Sequence, residues 1–181
     1  MGASLTVTPM SRGFAEFDTS VGRCGLAWGD RGLTGVWLPG TRRLREASRP
    51  PADVEDLIEA IVALLDGERR DLSWVILDME GLPELDRRVY EIARTIPAGS
   101  TASYGDVAAR LGAPNAGREV GKALARNPFP IVVPCHRVIG AGGEVGGFSA
   151  AGGVTTKTQL LAIEGSRASQ ASLFDGDGTD G

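Results

Sequence analysis

Apolar and polar positions alternate along the chain first with the period of a strand and then with that of a helix. Residues 14–18, 21–28 and 33–38 are short apolar-rich runs, separated by Thr19-Ser20 and by Gly29-Asp30-Arg31-Gly32. Glycine and aspartate tolerate the backbone conformations of tight turns, so the pattern predicts successive hairpins. Residues 41–52, with five charged side chains and two prolines, read as an exposed connection. Val54, Leu57, Ile58, Ile61, Leu64 and Leu65 then recur at helical spacing. They predict a helix capped by Asp53, running to Asp66 and stopped by Gly67, packed on the sheet. Residues 72–77 read as a further strand.

Leu82-Pro83 marks the expected boundary between two units. Residues 84–95 place Leu85, Val89 and Ile92 on one helical face, with Pro97 ending the segment. Ser103 and Asp106 have the spacing of a capping box, which predicts a helix over 104–111. Gly112-Ala113-Pro114-Asn115 breaks it, and residues 116–126 form the next helix. Two short helices across a tight turn are a helix-turn-helix. The expected class is therefore α+β: a small sheet-plus-helix unit over 1–80, then a mainly helical unit over 84–165. The polar, acidic, glycine-rich residues 166–181 are expected to be a disordered tail, and the first dozen residues to fray.

Composition narrows the class of protein. A chain of 181 residues with 42% apolar content can bury a core. No apolar run of membrane-spanning length occurs and no signal-peptide pattern opens the chain, so a soluble cytoplasmic protein is expected. The formal charge of -4 is unevenly spread: residues 84–142 carry 8 basic and 5 acidic side chains. Any nucleic-acid face should lie in that segment, with salt-sensitive binding. Arg118, Lys122 and Arg126 recur every four residues on its second helix. A solvated basic stripe is the competing reading. Gly117 and Gly121 lie within the same helix, where glycine costs about 1 kcal/mol against alanine. They imply close approach, either to DNA backbone or to a packed neighbour.

Candidate chemistry centres on residues 131–140, Ile-Val-Val-Pro-Cys-His-Arg-Val-Ile-Gly. Pro128 and Pro130 keep the approach extended. The run brings Cys135 together with His136, the one histidine of the chain, and Arg137. A thiol reacts as its thiolate and needs a base or positive charge nearby. Neighbours on an extended segment face opposite ways, so His136 would reach Cys135 through a water or a turn. A buried, inert thiol is the alternative for Cys135, and is the expected state of Cys24. With one histidine and two distant cysteines no metal site is expected from soft ligands, nor is a disulfide.

The Pro134-Cys135-His136-Arg137 signature, with Asn127-Pro128-Phe129-Pro130 before it and Gly146-Gly147-Phe148-Ser149 after it, resembles the O6-alkylguanine-DNA alkyltransferases, or methylated-DNA-protein-cysteine methyltransferases. The match runs from about residue 85 to 165. The resemblance implies DNA repair by direct reversal, with the alkyl group of O6-alkylguanine in double-stranded DNA passing irreversibly to Cys135. O4-alkylthymine is a second substrate that it leaves open. It further implies that His136 activates the thiol through a water and that Glu164 holds the imidazole. Tyr104 would help rotate the nucleotide and donate toward guanine N3, while Arg118 would fill the gap left in the duplex. Asn127 would be the hinge joining the second helix to the active-site segment. Val138, Phe148 and Ser149 would contact the guanine. No cofactor is implied, and the protein is expected to be a monomer.

Phe148 departs from the family's commoner tyrosine, and residues 149–156 run roughly two longer than its shortest forms, which bears on pocket size and on the placement of Glu164. Two rivals remain: a non-enzymatic binder of alkylated DNA, and a helix-turn-helix protein whose cysteine senses alkylation. A cysteine at position 135 disfavours the first. A cysteine hydrolase would need a distant histidine, which the chain lacks. Gln170-Ala171-Ser172-Leu173-Phe174 resembles the peptides by which bacterial repair proteins grip the replication sliding clamp.

Overall fold

The computed structural model describes residues 12–41 and 47–166. Three strands, β1 (Gly13–Thr19), β2 (Gly22–Gly29) and β3 (Gly32–Trp37), form an antiparallel sheet in that order. Thr19 pairs with Gly22 and Gly29 with Gly32, so both connections are two-residue turns. Val21, expected in the second strand, lies in the first turn. Gly32, at φ 127°, is required twice over: a Cβ there would also collide with the Ile76 carbonyl. Cys24, Leu26 and Trp28 of the central strand are buried. Helix α1 (Ala52–Leu65) covers one face of the sheet through Val54, Leu57, Ile61, Leu64 and Leu65. Its cap is Pro51, with no side-chain hydrogen bond, and Asp53 sits in the first turn instead. There it favours the positive end of the helix dipole.

Residues 72–77 do not form the expected strand. Leu77 alone bridges to Leu33. The carbonyls of Leu72, Ser73 and Val75 instead accept from Nη2 of Arg94, at 3.0, 3.0 and 2.8 Å. A guanidinium that collects these acceptors leaves the segment no need of a neighbouring strand.

The second half is mainly helical, with α2 (Glu84–Ala93), α3 (Tyr104–Arg110), α4 (Gly117–Ala125) and α5 (Gly153–Ile163). Strand β4 (Ala102–Ser103) pairs in parallel with β5 (Val138–Ile139). The buried face of α2 is Asp86, Val89, Tyr90 and Ala93, rotated from the expected 85/89/92 stripe. The cause is polar. Asp86 receives two hydrogen bonds from Arg126, at 2.9 and 2.7 Å, and the Tyr90 hydroxyl donates to the Ala123 carbonyl at 2.9 Å. Both partners lie on or beside α4, so α2 turns its polar groups inward to meet them. Helix α3 opens with the predicted capping box, Ser103 and Asp106 bonding reciprocally at 3.0 and 2.8 Å. The fold is α+β, with a helix-turn-helix formed by α3 and α4. Among the described residues no helix is long and apolar enough to cross a membrane.

Candidate active site

The chain reaches Cys135 through a run of short-range constraints. Asn127 ties the turn after α4: its Nδ2 donates to the Val133 carbonyl at 3.0 Å and its Oδ1 accepts from Phe129 N–H at 2.9 Å. Ile131 is held at φ 74°, a left-handed conformation that a β-branched residue rarely adopts. Pro134, at φ -79° and ψ 65°, then makes an inverse γ-turn, closed by Cys135 N–H on the Val133 carbonyl at 2.8 Å. Cys135–Arg137 is a single 3-10 turn rather than the extended segment expected. Residues 131–139 are buried throughout.

His136 is fully buried and its Nε2 stands 2.9 Å from Glu164 Oε1. Burial pushes the imidazole pKa down, with the Glu164 hydrogen bond opposing. Burial pushes the Glu164 carboxyl up, but hydrogen bonds from His136 and Arg137 outweigh it and hold the group at about 2. The pair is therefore a neutral ring donating Nε2–H to a carboxylate, which assigns the tautomer. Nδ1 keeps its lone pair and, although buried, has no hydrogen-bond partner in the structure. It is the one basic position left on the ring.

Two further residues complete it: Arg137, expected as a positive charge beside the thiol, and Lys157, which the sequence reading missed. Arg137 turns away from the thiol: its Nη2 and Nε bond Glu164 at 2.7 and 3.0 Å, and its Nη1 donates to the Ile96 carbonyl at 2.7 Å. Lys157 is 1% exposed, and its Nζ donates to the Val138 carbonyl at 2.7 Å and reaches the Tyr104 hydroxyl at 3.4 Å. Burial lowers its pKa, and the charge of Cys135 opposes that shift. Burial likewise raises the Cys135 thiol, against the nearby Asn127 amide and the charge of Lys157. A readable signal for Lys157 existed. Lys157, Leu160, Leu161 and Glu164 fall at i, i+3, i+4 and i+7, one inward stripe of α5.

The structure brings Tyr104, Phe148, Ser149 and Lys157 together with Cys135 around a cavity of about 380 Å³. Gly117 and Gly121 face Tyr104: Cβ atoms built there would stand 3.8 and 3.7 Å from its side chain. Those are ordinary contact distances, so packing between α3 and α4 does not by itself require glycine at either position. The basic stripe of α4 is shorter than its spacing implied, because Arg126 is engaged by Asp86. Arg118 and Lys122 remain exposed. Val138 offers its carbonyl to Lys157, which leaves one lone pair for another donor. Cys24 is 2% exposed, within the hydrophobic core beneath the sheet.

Residues 84–166 match the family model described as 6-O-methylguanine DNA methyltransferase, DNA binding domain. A methylated-DNA-protein-cysteine methyltransferase of Methanothermobacter thermautotrophicus is 43% identical over 142 residues, covering 78% of each chain. That of Mycolicibacterium paratuberculosis is 41% identical over 165 residues, 88% of this chain and 96% of its own. The chain belongs to the methylated-DNA-protein-cysteine methyltransferase family. The fold agrees. The Mycobacterium tuberculosis OGT solved in complex with DNA superposes with a TM-score of 0.72 at 37% identity, covering 84% of this chain and 92% of that one. In this family member the Cys135 cavity and the α3–α4 motif share a wall, formed by Tyr104, Gly121 and Leu124.

Proposed function

We propose that Cys135 is the alkyl acceptor and that O6-alkylguanine in double-stranded DNA is its substrate. As a family member the protein repairs alkylated DNA by taking the alkyl group onto a cysteine, and DNA is its partner. The observation that carries the residue assignment is the neutral His136, locked by an ionised Glu164, one residue from a thiol that borders a cavity.

The thiol proton passes through a water to His136 Nδ1, and Glu164 stabilises the imidazolium that forms. The sulfur attacks the alkyl carbon in line as the C–O6 bond breaks, and the electron pair goes to the base. The Tyr104 hydroxyl, beside the Lys157 ammonium, donates the proton that the departing guanine needs. A thioether is a poor leaving group, so each molecule acts once. The target base must leave the duplex to reach the cavity. Arg118, exposed at the start of α4, fills the space it vacates. Phe148 stacks on the extruded ring, while Ser149 and the Val138 backbone meet its edge. Asn127 holds the turn that presents Cys135.

On this reading residues 84–165 carry DNA binding and chemistry and residues 1–80 form a supporting unit. The protein acts as a monomer in the cytoplasm, where DNA is its substrate. The clamp-binding peptide at 170–174 lies outside the described residues. It is tested by a pull-down with purified clamp, in which its deletion should abolish capture.

The central test is the intact mass of the protein after incubation with a duplex containing O6-methylguanine. A stoichiometric gain of one methyl on Cys135, absent from a Cys135→Ser protein that still binds DNA, is expected. Binding without any mass gain would favour the non-enzymatic reading.

A further inference from the structure

Arg137, which turns away from the thiol, lines a cavity of about 350 Å³ that alkyl transfer does not use. Among the described residues neither Cys135 nor any residue of α3 or α4 borders it. Its walls come from both halves of the chain. Leu64 and residues 69–73 form one side, and the segment after α2 with the run before Cys135 forms the other.

The charged lining is mostly of one sign: Arg69, Arg70, Arg94 and Arg137 stand against one carboxylate, Asp71. Two of these cations are answered from outside the cavity, Arg137 by Glu164 at 2.7 Å and Arg70 by Glu68 at 2.6 Å. Arg69 and Arg94 form no salt bridge among the described residues. Arg94 meets three neutral carbonyls through Nη2, and its buried Nε has no hydrogen-bond partner in the structure. Asp71 commits both oxygens to Ser73, at 2.9 and 2.6 Å. Arg69 lies along the loop after α2, where a Cβ built on Gly99 would stand 3.1 Å from its Nη2. Below the arginines the lining is apolar, with Leu72, Ile131 and Pro134.

A guanidinium partly withdrawn from water gains by taking an anion, and its planar fork matches the paired oxygens of a carboxylate or phosphate. We propose that this cavity binds a small organic anion, a carboxylate or phosphate carried on an apolar or planar body. Arg69 and Arg94 meet the anionic group, and the body lies on Leu72, Ile131 and Pro134. Because the walls belong to both halves, occupancy ties the N-terminal unit to the helical one and stabilises the folded chain by mass action. No covalent bond changes, and the site is independent of alkyl transfer.

The test is calorimetric titration and thermal unfolding of the full-length protein with phenyl phosphate, benzoate, inorganic phosphate and benzyl alcohol. Phenyl phosphate or benzoate should bind and raise the unfolding midpoint, and which of them binds tighter identifies the anionic group. Inorganic phosphate, lacking the apolar body, should bind about tenfold or more weakly, and benzyl alcohol not at all. Arg69 is exposed, so its variants should fold. Arg69→Gln should weaken binding about tenfold or more, and Arg69→Glu further, with duplex affinity unchanged. Failure of both organic anions to bind, or equal binding by the variants, would overturn the assignment. So would variants that lose duplex affinity while no small anion binds, since the arginines would then serve the DNA backbone.

Discussion

Glu164 is the residue where burial and charge oppose each other most strongly. Its carboxyl, ordinarily at 4.5, is held at about 2. Between those values the unfolded chain binds a proton that the folded chain does not, so this stabilisation is complete above about 4.5 and lost as pH falls through about 2. His136 adds in the same direction. Burial puts its folded pKa below 6.5, and the unfolded chain takes up the proton first as pH drops from there. Urea unfolding measured from pH 7 to 2 should show stability falling in two stages, and Glu164→Ala should remove the lower one. At pH 7 that variant should lose about 3–5 kcal/mol, because Arg137 is left buried without its carboxylate. The transfer rate follows the same groups. It should rise with pH as His136 becomes neutral and level off below pH 7, and His136→Gln should slow it by about 10² to 10⁴. Stopped reactions on an O6-methylguanine duplex across that range supply the check.

At the scale of elements, α4 shows how a regular charge pattern can mislead. Arg118, Lys122 and Arg126 are equivalent by spacing, yet Arg126 is committed to the buried carboxylate of Asp86 while Arg118 stands free in solvent. The two should therefore separate experimentally. Arg118→Ala should weaken DNA binding, because the gap left by the extruded base is no longer filled. Arg126→Ala should cost about 1–3 kcal/mol of stability, the penalty of an unsatisfied buried acceptor, with a smaller effect on binding. Titration of duplex at several salt concentrations, beside urea unfolding of both variants, distinguishes them. The capping box of α3 and the glycine stop of α1 were legible because each is a contract between residues a few positions apart. The face of α2 was not. It is set by partners 33 and 40 positions away, Ala123 and Arg126.

For the molecule as a whole, polar contacts between the halves fix how the sheet stands beside the site. Val36 N–H donates to the Pro128 carbonyl at 2.9 Å, which joins β3 directly to the segment leading to Cys135. Arg94 of the helical half gathers the carbonyls of the 72–75 segment. Arg94→Leu should leave the carbonyls of Leu72 and Val75 without this donor, lowering stability by about 1–3 kcal/mol. Amide exchange should then quicken over residues 72–78, with the fastest change at Asp78, whose N–H bonds Leu33. Exchange unchanged in that segment would show that the carbonyls find other donors.

The sequence by itself determined what depends on neighbours along the chain: the hairpins, the helix periods, the capping box, and the Pro-Cys-His-Arg signature with its implied chemistry. Tertiary structure decided what depends on burial and on distant partners. It bonded Lys157 to the Val138 carbonyl, turned Arg137 toward Glu164, paired Arg126 with Asp86 and left 72–77 without a strand. The physical reason is the same in each case. A charged or backbone polar group taken out of water must find a partner, and that partner is chosen by the fold rather than by position in the chain.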